Sequence, residues 1–106
     1  MDSASDYLRQ ALQIGMDELA ALRKGDVDTA TELASQRGYL TSLAWTAKMD
    51  VPQAVFKQQI MQLHGLQEIL TQEAQRLKES IRQSLNNTHK EQRRMTAYKQ
   101  AVGYAC

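Results

Sequence analysis

Leucine and alanine recur every three or four residues along nearly the whole chain, and three short stretches interrupt the rhythm: Gly25-Asp26, Asp50-Val51-Pro52 and Asn86-Asn87-Thr88. A period near 3.6 belongs to an α-helix with one buried face, so the chain must fold as helices that share a core. Composition agrees, because one proline and five glycines stand in a background of Leu, Ala, Gln, Lys, Arg and Glu, which favour helix. With 106 residues, 42% of them hydrophobic and 24% charged, the chain suits one domain with a modest core and a solvated surface.

Ser3, Ser5 and Asp6 offer oxygens to the orphan amides of a first helix over about 4–24. Leu8, Leu12, Gly15, Leu19 and Leu22 form its stripe, which Ala11 and Met16 widen. Arg23 and Lys24 suit the negative end of the helix dipole, and Gly25 is a natural left-handed stop. Asp26 then caps a second helix over about 27–49, with Asp28 in its first turn. Ala30, Leu33, Arg37, Leu40, Ala44 and Ala47 line its seam, broadened by Leu43, Trp45 and Met49. A link of two or three residues forces these two helices antiparallel. Pro52 tolerates the first turn of a helix but disfavours helix at Val51, so a second turn precedes a third helix over about 52–86. Its seam is Phe56, Ile60, Leu63, Gln67, Leu70, Ala74, Leu77 and Ile81, flanked by Leu66, Ile69 and Leu85. At Asn86-Asn87-Thr88 the helix ends, bends or continues; Met95, Tyr98 and Val102 resume the spacing in a tail helix over about 88–104. The expected fold is all-α: an antiparallel helical hairpin plus a long third helix, a three- or four-helix bundle with coiled-coil-like packing.

The helix lengths carry a functional implication. The first two helices span roughly 30 Å each, and the third roughly 50 Å. The third therefore overhangs the hairpin, and its overhang is apolar: Leu77, Ile81 and Leu85, with Met95, Tyr98 and Val102 beyond. Burying each Leu or Ile side chain gains about 1.5–3 kcal/mol, so such a row is not left in water. Three arrangements cover it: a tail that folds back as a fourth helix, pairing with a second copy, or a partner's amphipathic helix laid in the groove. A fold-back tail is compatible with a partner that displaces it.

Chemistry is sparse. His64 and His89 are the only histidines, and Cys106, the only cysteine, is the last residue with no base nearby. No glycine loop opens a helix to cradle phosphate. Asp17 and Glu18 are adjacent, so they point to different faces. No cofactor, metal or catalytic residue is expected, and the chain is read as a non-enzyme. A net charge of +1 argues against global attraction to nucleic acid or anionic membrane. Residues 75–106 are locally basic, with Arg76, Lys78, Arg82, Lys90, Arg93, Arg94 and Lys99 against Glu79 and Glu91; a solvated helix face accounts for this. The chain opens with acidic and small polar residues, not with a signal-peptide pattern, and holds no long apolar run. A cytoplasmic location without membrane insertion is expected, and a single thiol gives no sign of an oxidising compartment.

Arg37 among Leu33 and Leu40, with Lys48 eleven residues on, is similar to part of the pattern of small all-helical chorismate mutases. That family implies cations that bind a dicarboxylate and stabilise its transition state. The resemblance stops at Asp50-Val51-Pro52-Gln53, where the family has an Arg/Asp/Arg-Glu cluster and this chain has no arginine until Arg76.

A broader resemblance rests on three stretches. The charged turn Gly25-Asp26-Val27-Asp28 leads to Glu32-Leu33, Arg37, Leu40 and Leu43. A leucine-spaced helix runs from Leu63 through Leu66-Gln67, Leu70, Glu73-Ala74, Leu77 and Ile81 to Leu85, and Arg93-Arg94 precede Tyr98. In these the chain resembles the flagellar type III export chaperones of the FlgN/FliT-like group. The resemblance implies a helical bundle that binds the C-terminal amphipathic segment of an axial flagellar protein, a hook–filament junction or filament cap protein. It implies delivery of that client to the export ATPase or export gate, with a C-terminal tyrosine, Tyr98 or Tyr104, docking at the gate. The client-binding residues expected are Leu77, Ile81, Leu85, Met95, Tyr98 and Val102, with residues 88–106 as a detachable cover. The alternative is a self-associating helical adaptor, a homodimer through the same seam with no export role.

Overall fold

The computed structural model of the chain describes residues 3–48, 51–83 and 89–105, without the side chains of residues 89, 104 and 105. It holds four helices, α1 (Ala4–Arg23), α2 (Val27–Thr46), α3 (Gln53–Gln83) and α4 (His89–Ala105), and no strand among the described residues. The fold is an all-α bundle 52 Å long and 19 by 18 Å across.

Local chemistry fixes the helix ends. Ser3 and Asp6 form a reciprocal cap: the Asp6 amide donates to Ser3 Oγ at 3.2 Å, and the Ser3 amide donates to the Asp6 carboxylate at 3.0 Å. At the other end the Gly25 amide donates to the Leu22 carbonyl at 3.0 Å and the Asp26 amide to the Ala21 carbonyl at 2.9 Å. That pair of bonds needs a left-handed residue, and Gly25 supplies it with φ of 77°. Asp26 begins the next helix at once, accepting from the Thr29 amide at 3.2 Å and from the Thr29 hydroxyl at 2.7 Å. One residue thus closes α1 and opens α2, and the two helices are antiparallel neighbours as expected.

α2 ends at Thr46, about one turn short of the expected 49. The chain must reverse early enough to bring Phe56 beneath Trp45, whose rings meet edge-on at 5.0 Å and 78°. α3 then runs parallel to α1. Near its start the Gln59 amide donates to the Ser5 carbonyl at 3.3 Å and to Ser5 Oγ at 2.9 Å. Further along, Leu66 packs over Gly15, where an added Cβ would lie 2.5 Å from a Leu66 methyl. α3 continues beyond the Gly25 turn, and α4 descends beside α2. Around the bundle α1 packs on α2 and α3, α2 packs on α1 and α4, and the α3–α4 side has the sparsest contact.

The core has two parts. Ala4, Leu8, Ala11, Ala44, Phe56 and Leu63 fill the end near the start of α1, with no α4 residue among the described ones. Leu22, Val27, Ala30, Ala34, Leu66 and Leu70 fill the end near the Gly25 turn, together with Met95, Tyr98 and Ala101 of α4. Three residues expected beside the seams are exposed, Ile69 of α3 among them at 46%. Met16 is 55% exposed and Trp45 49%. The contact line of α1 is narrow because alanine and glycine at 4, 11 and 15 let its neighbours come close, which leaves Met16 outside. Trp45 packs edge-on against Phe56, and the Lys48 ammonium sits 5.2 Å from its ring centre.

Candidate functional site

The sparse α3–α4 side is the open side of the bundle. A groove of about 500 Å³ runs there between the overhang of α3 and the face of α4. Ala74 and Ile81 from α3 and Met95, Tyr98 and Val102 from α4 give it an apolar floor. Periodicity explains the set, because 74 and 81 are two turns apart, 95, 98 and 102 are three or four apart, and each group shares a face of its helix. Lys78 and Arg82 of α3 and Lys99 of α4 stand on its rim, all exposed. No carboxylate lines it among the described residues.

Beneath the floor lies a buried polar cluster. Glu18 is 0% exposed and Arg37 3%. Arg37 Nε donates to Glu18 Oε1 at 2.9 Å and Arg37 Nη2 donates to Glu18 Oε2 at 3.3 Å. The Tyr98 phenol donates to the same Oε2. A carboxylate this deep is stable only when charge-paired and hydrogen-bonded, and three donors from α2 and α4 meet that need. Tyr98 in turn loses acidity: burial, then its bond to Glu18, then the Glu18 charge hold its pKa above the ordinary 10.0, with the Arg37 charge opposing them. At the solvent edge, Arg94 Nε pairs with Asp28 at 3.3 Å and ties the start of α4 to the start of α2. Within α3, Arg76 pairs with Glu73 and holds that carboxyl below its usual range.

Of the six expected client-contact residues, Ile81, Met95, Tyr98 and Val102 come together in the groove. Leu77 is half-buried against the core near the Gly25 turn instead. Leu85 lies outside the described residues. The tail does return as a fourth helix, but it packs on α2 and stands away from α3, so it forms a wall of the groove and does not seal it. Tyr98 is 2% exposed with its phenol engaged by Glu18, so it offers nothing to an export gate while α4 is docked. The Tyr104 side chain, like Cys106, lies outside the described residues.

Arg37 is engaged by Glu18, and the Lys48 ammonium sits over the Trp45 ring just past the end of α2. No cluster of three or more His, Cys, Asp or Glu that could hold a metal occurs among the described residues. None of their helices is long and apolar enough to cross a membrane.

Glu18 is the buried site residue that the sequence reading did not single out. Its signal was present: 11, 15, 18 and 22 are three or four apart, so an acid sat on the buried stripe of α1 while Arg37 sat on that of α2. Fold and site together define an all-α four-helix bundle with one open, cation-rimmed side. No protein-family model matches the chain, and neither a curated protein nor a solved structure matches it.

Proposed function

We propose that this chain is a cytoplasmic export chaperone of the flagellar type III pathway. It holds the C-terminal amphipathic segment of an axial protein in the α3–α4 groove, keeps that client from assembling early, and hands it to the export gate or export ATPase. The observation that carries this reading is the groove itself: an apolar floor of Ile81, Met95 and Val102 left open along one side of an otherwise closed bundle. Holding must be reversible, and the magnitudes allow it. A few client side chains buried at about 1.5–3 kcal/mol each are of the same order as an association cost of about 4–15 kcal/mol, which favours a complex that forms and releases.

The test is light scattering coupled to size exclusion, with the chain alone and then mixed with C-terminal fragments of hook–filament junction and filament cap proteins. A one-to-one complex with one fragment is expected. The double variant Ile81→Asp/Val102→Asp should lose that complex while circular dichroism still reports a helical bundle. A stable homodimer that ignores every fragment overturns the reading in favour of a self-associating adaptor.

A further inference from the structure

We infer that the occupant of the α3–α4 groove is a helix whose apolar ridge is edged by carboxylates, so that charge as well as hydrophobic fit selects it. The inference rests on the groove being a docking site, the reading given above, and adds the chemistry of what docks.

Two observations carry it. The first is shape. Both walls are helices, whose backbone amides and carbonyls are paired within the helix away from its ends. An extended peptide would find no backbone partners there and would bury unpaired polar groups. A helix satisfies its own backbone and nests its ridge between two others at the usual 8–10 Å spacing. From Thr71 to Arg82 the α3 wall is about 16 Å long, about three turns of a docked helix.

The second is charge. Every ionisable side chain that lines the groove, Tyr98 apart, is a cation: Lys78 and Arg82 on one wall and Lys99 on the other. The cations therefore flank the apolar floor from both sides. A docked helix with a Leu ridge and glutamates on its two shoulders places acid against base along both edges. The same helix with lysines there brings like charges together, which also penalises wrong partners. A second copy of this chain and a partner without acidic edges are the competing occupants, and the test separates them.

Three synthetic peptides of about 20 residues share one Leu ridge at three-four spacing and carry Glu, Gln or Lys at the shoulder positions. Circular dichroism in trifluoroethanol checks that all three have comparable helical capacity. Binding to the full chain is measured by fluorescence anisotropy at low and high salt. The Glu peptide should bind about tenfold more tightly than the Gln peptide and the Lys peptide more weakly still, given three rim pairs of modest individual strength. Raising salt to about 0.5 M, where screening is short-ranged, should collapse the difference. The charge-swapped chain Lys78→Glu/Arg82→Glu/Lys99→Glu, altered only at exposed positions, should prefer the Lys peptide. If that variant does not fold, Arg82→Glu alone should still lower the Glu-to-Lys preference.

Equal affinity for the three peptides, preference for lysine, or no binding by any of them overturns the inference. So does a dimer of the chain, closed through this groove, that the Glu peptide does not open. The outcomes also separate this inference from the chaperone reading. Axial-protein fragments that bind without regard to shoulder charge keep the chaperone and remove acid selection. A Glu peptide that binds while every axial fragment fails keeps acid selection and removes the flagellar role.

Discussion

Glu18, Arg37 and Tyr98 bring three helices to one point, and their energetics do not favour the fold in any simple way. Taking a carboxylate and a guanidinium out of water costs several kcal/mol per ion, and good geometry returns about as much. The cluster is therefore better read as a device that sets how α2 and α4 sit against α1 than as a source of stability. Breaking it on one side is another matter. Glu18→Ala leaves the Arg37 guanidinium buried without its partner, and urea unfolding at neutral pH should show a loss of about 3–5 kcal/mol. The paired replacement Glu18→Leu/Arg37→Met should cost far less. If it costs as much as the single change, the ion pair is a net stabiliser and the register argument fails. Tyr98 adds a pH signature. Its folded-state pKa is raised by burial and by the bond to Glu18, so the unfolded chain gives up that proton first, from about pH 10. The contribution is whole below that pH and is lost as pH climbs toward the folded-state value, with a slope of up to about 1.4 kcal/mol per pH unit. Tyr98→Phe should remove that slope. In an ultraviolet titration of the chain's four tyrosines, one phenol should resist ionisation until the protein unfolds, and that step should vanish in the same variant.

The helices themselves were largely legible in the residues. Caps and breakers at Ser3, Gly25, Asp26 and Pro52 set the segment boundaries to within a turn, and three-four spacing picked the buried faces. Spacing names a face, however, and not the neighbour that covers it. Nothing in the pattern of Met95, Tyr98 and Val102 told whether α4 would lie on α3 or on α2, and the small residues Ala30 and Ala34 of α2 decide it by letting α4 come close. Gly15 works in the same way, and it makes a sharp test of packing against propensity. Alanine is the better helix former by about 1 kcal/mol, so propensity alone predicts a gain from Gly15→Ala. The new Cβ would stand 2.5 Å from a methyl of Leu66 and 3.2 Å from the Arg37 stem. Leu66 is packed in the core and Arg37 is anchored by Glu18, so neither gives way freely, and overpacking costs about 1–3 kcal/mol. Gly15→Ala should therefore lower the thermal midpoint. Gly65 also lies mid-helix, and an added Cβ there meets nothing within 4 Å. Gly65→Ala should raise stability by about 0.5–1 kcal/mol. If both changes stabilise, α1 and α3 are further apart than the structure has them.

At the scale of the whole molecule the bundle is two units in series. Among the described residues, the end near the start of α1 has a core made by α1, α2 and α3 alone. The end near the Gly25 turn needs Met95, Tyr98 and Ala101 to complete its core. This asymmetry predicts what loss of α4 does. Removing residues 89–106 would uncover Val27, Ala30 and Ala34, which α4 now buries, and would take from Glu18 one of its donors. It would leave Ala4, Leu8, Phe56 and Leu63 in their present contacts. Hydrogen exchange should therefore divide the truncated chain. Amides in the first half of α1, the last half of α2 and the first third of α3 should keep their protection, while those of residues 27–34 and 70–83 exchange faster. The uncovered strip should also promote self-association, while a chain without Met95 and Val102 should hold an axial-protein fragment less tightly than the full chain does. Uniform loss of protection would mean that the two cores fold as one cooperative unit, with α4 integral to it. In that case the fourth helix cannot act as a detachable cover, and the groove between α3 and α4 must receive its client with α4 in place.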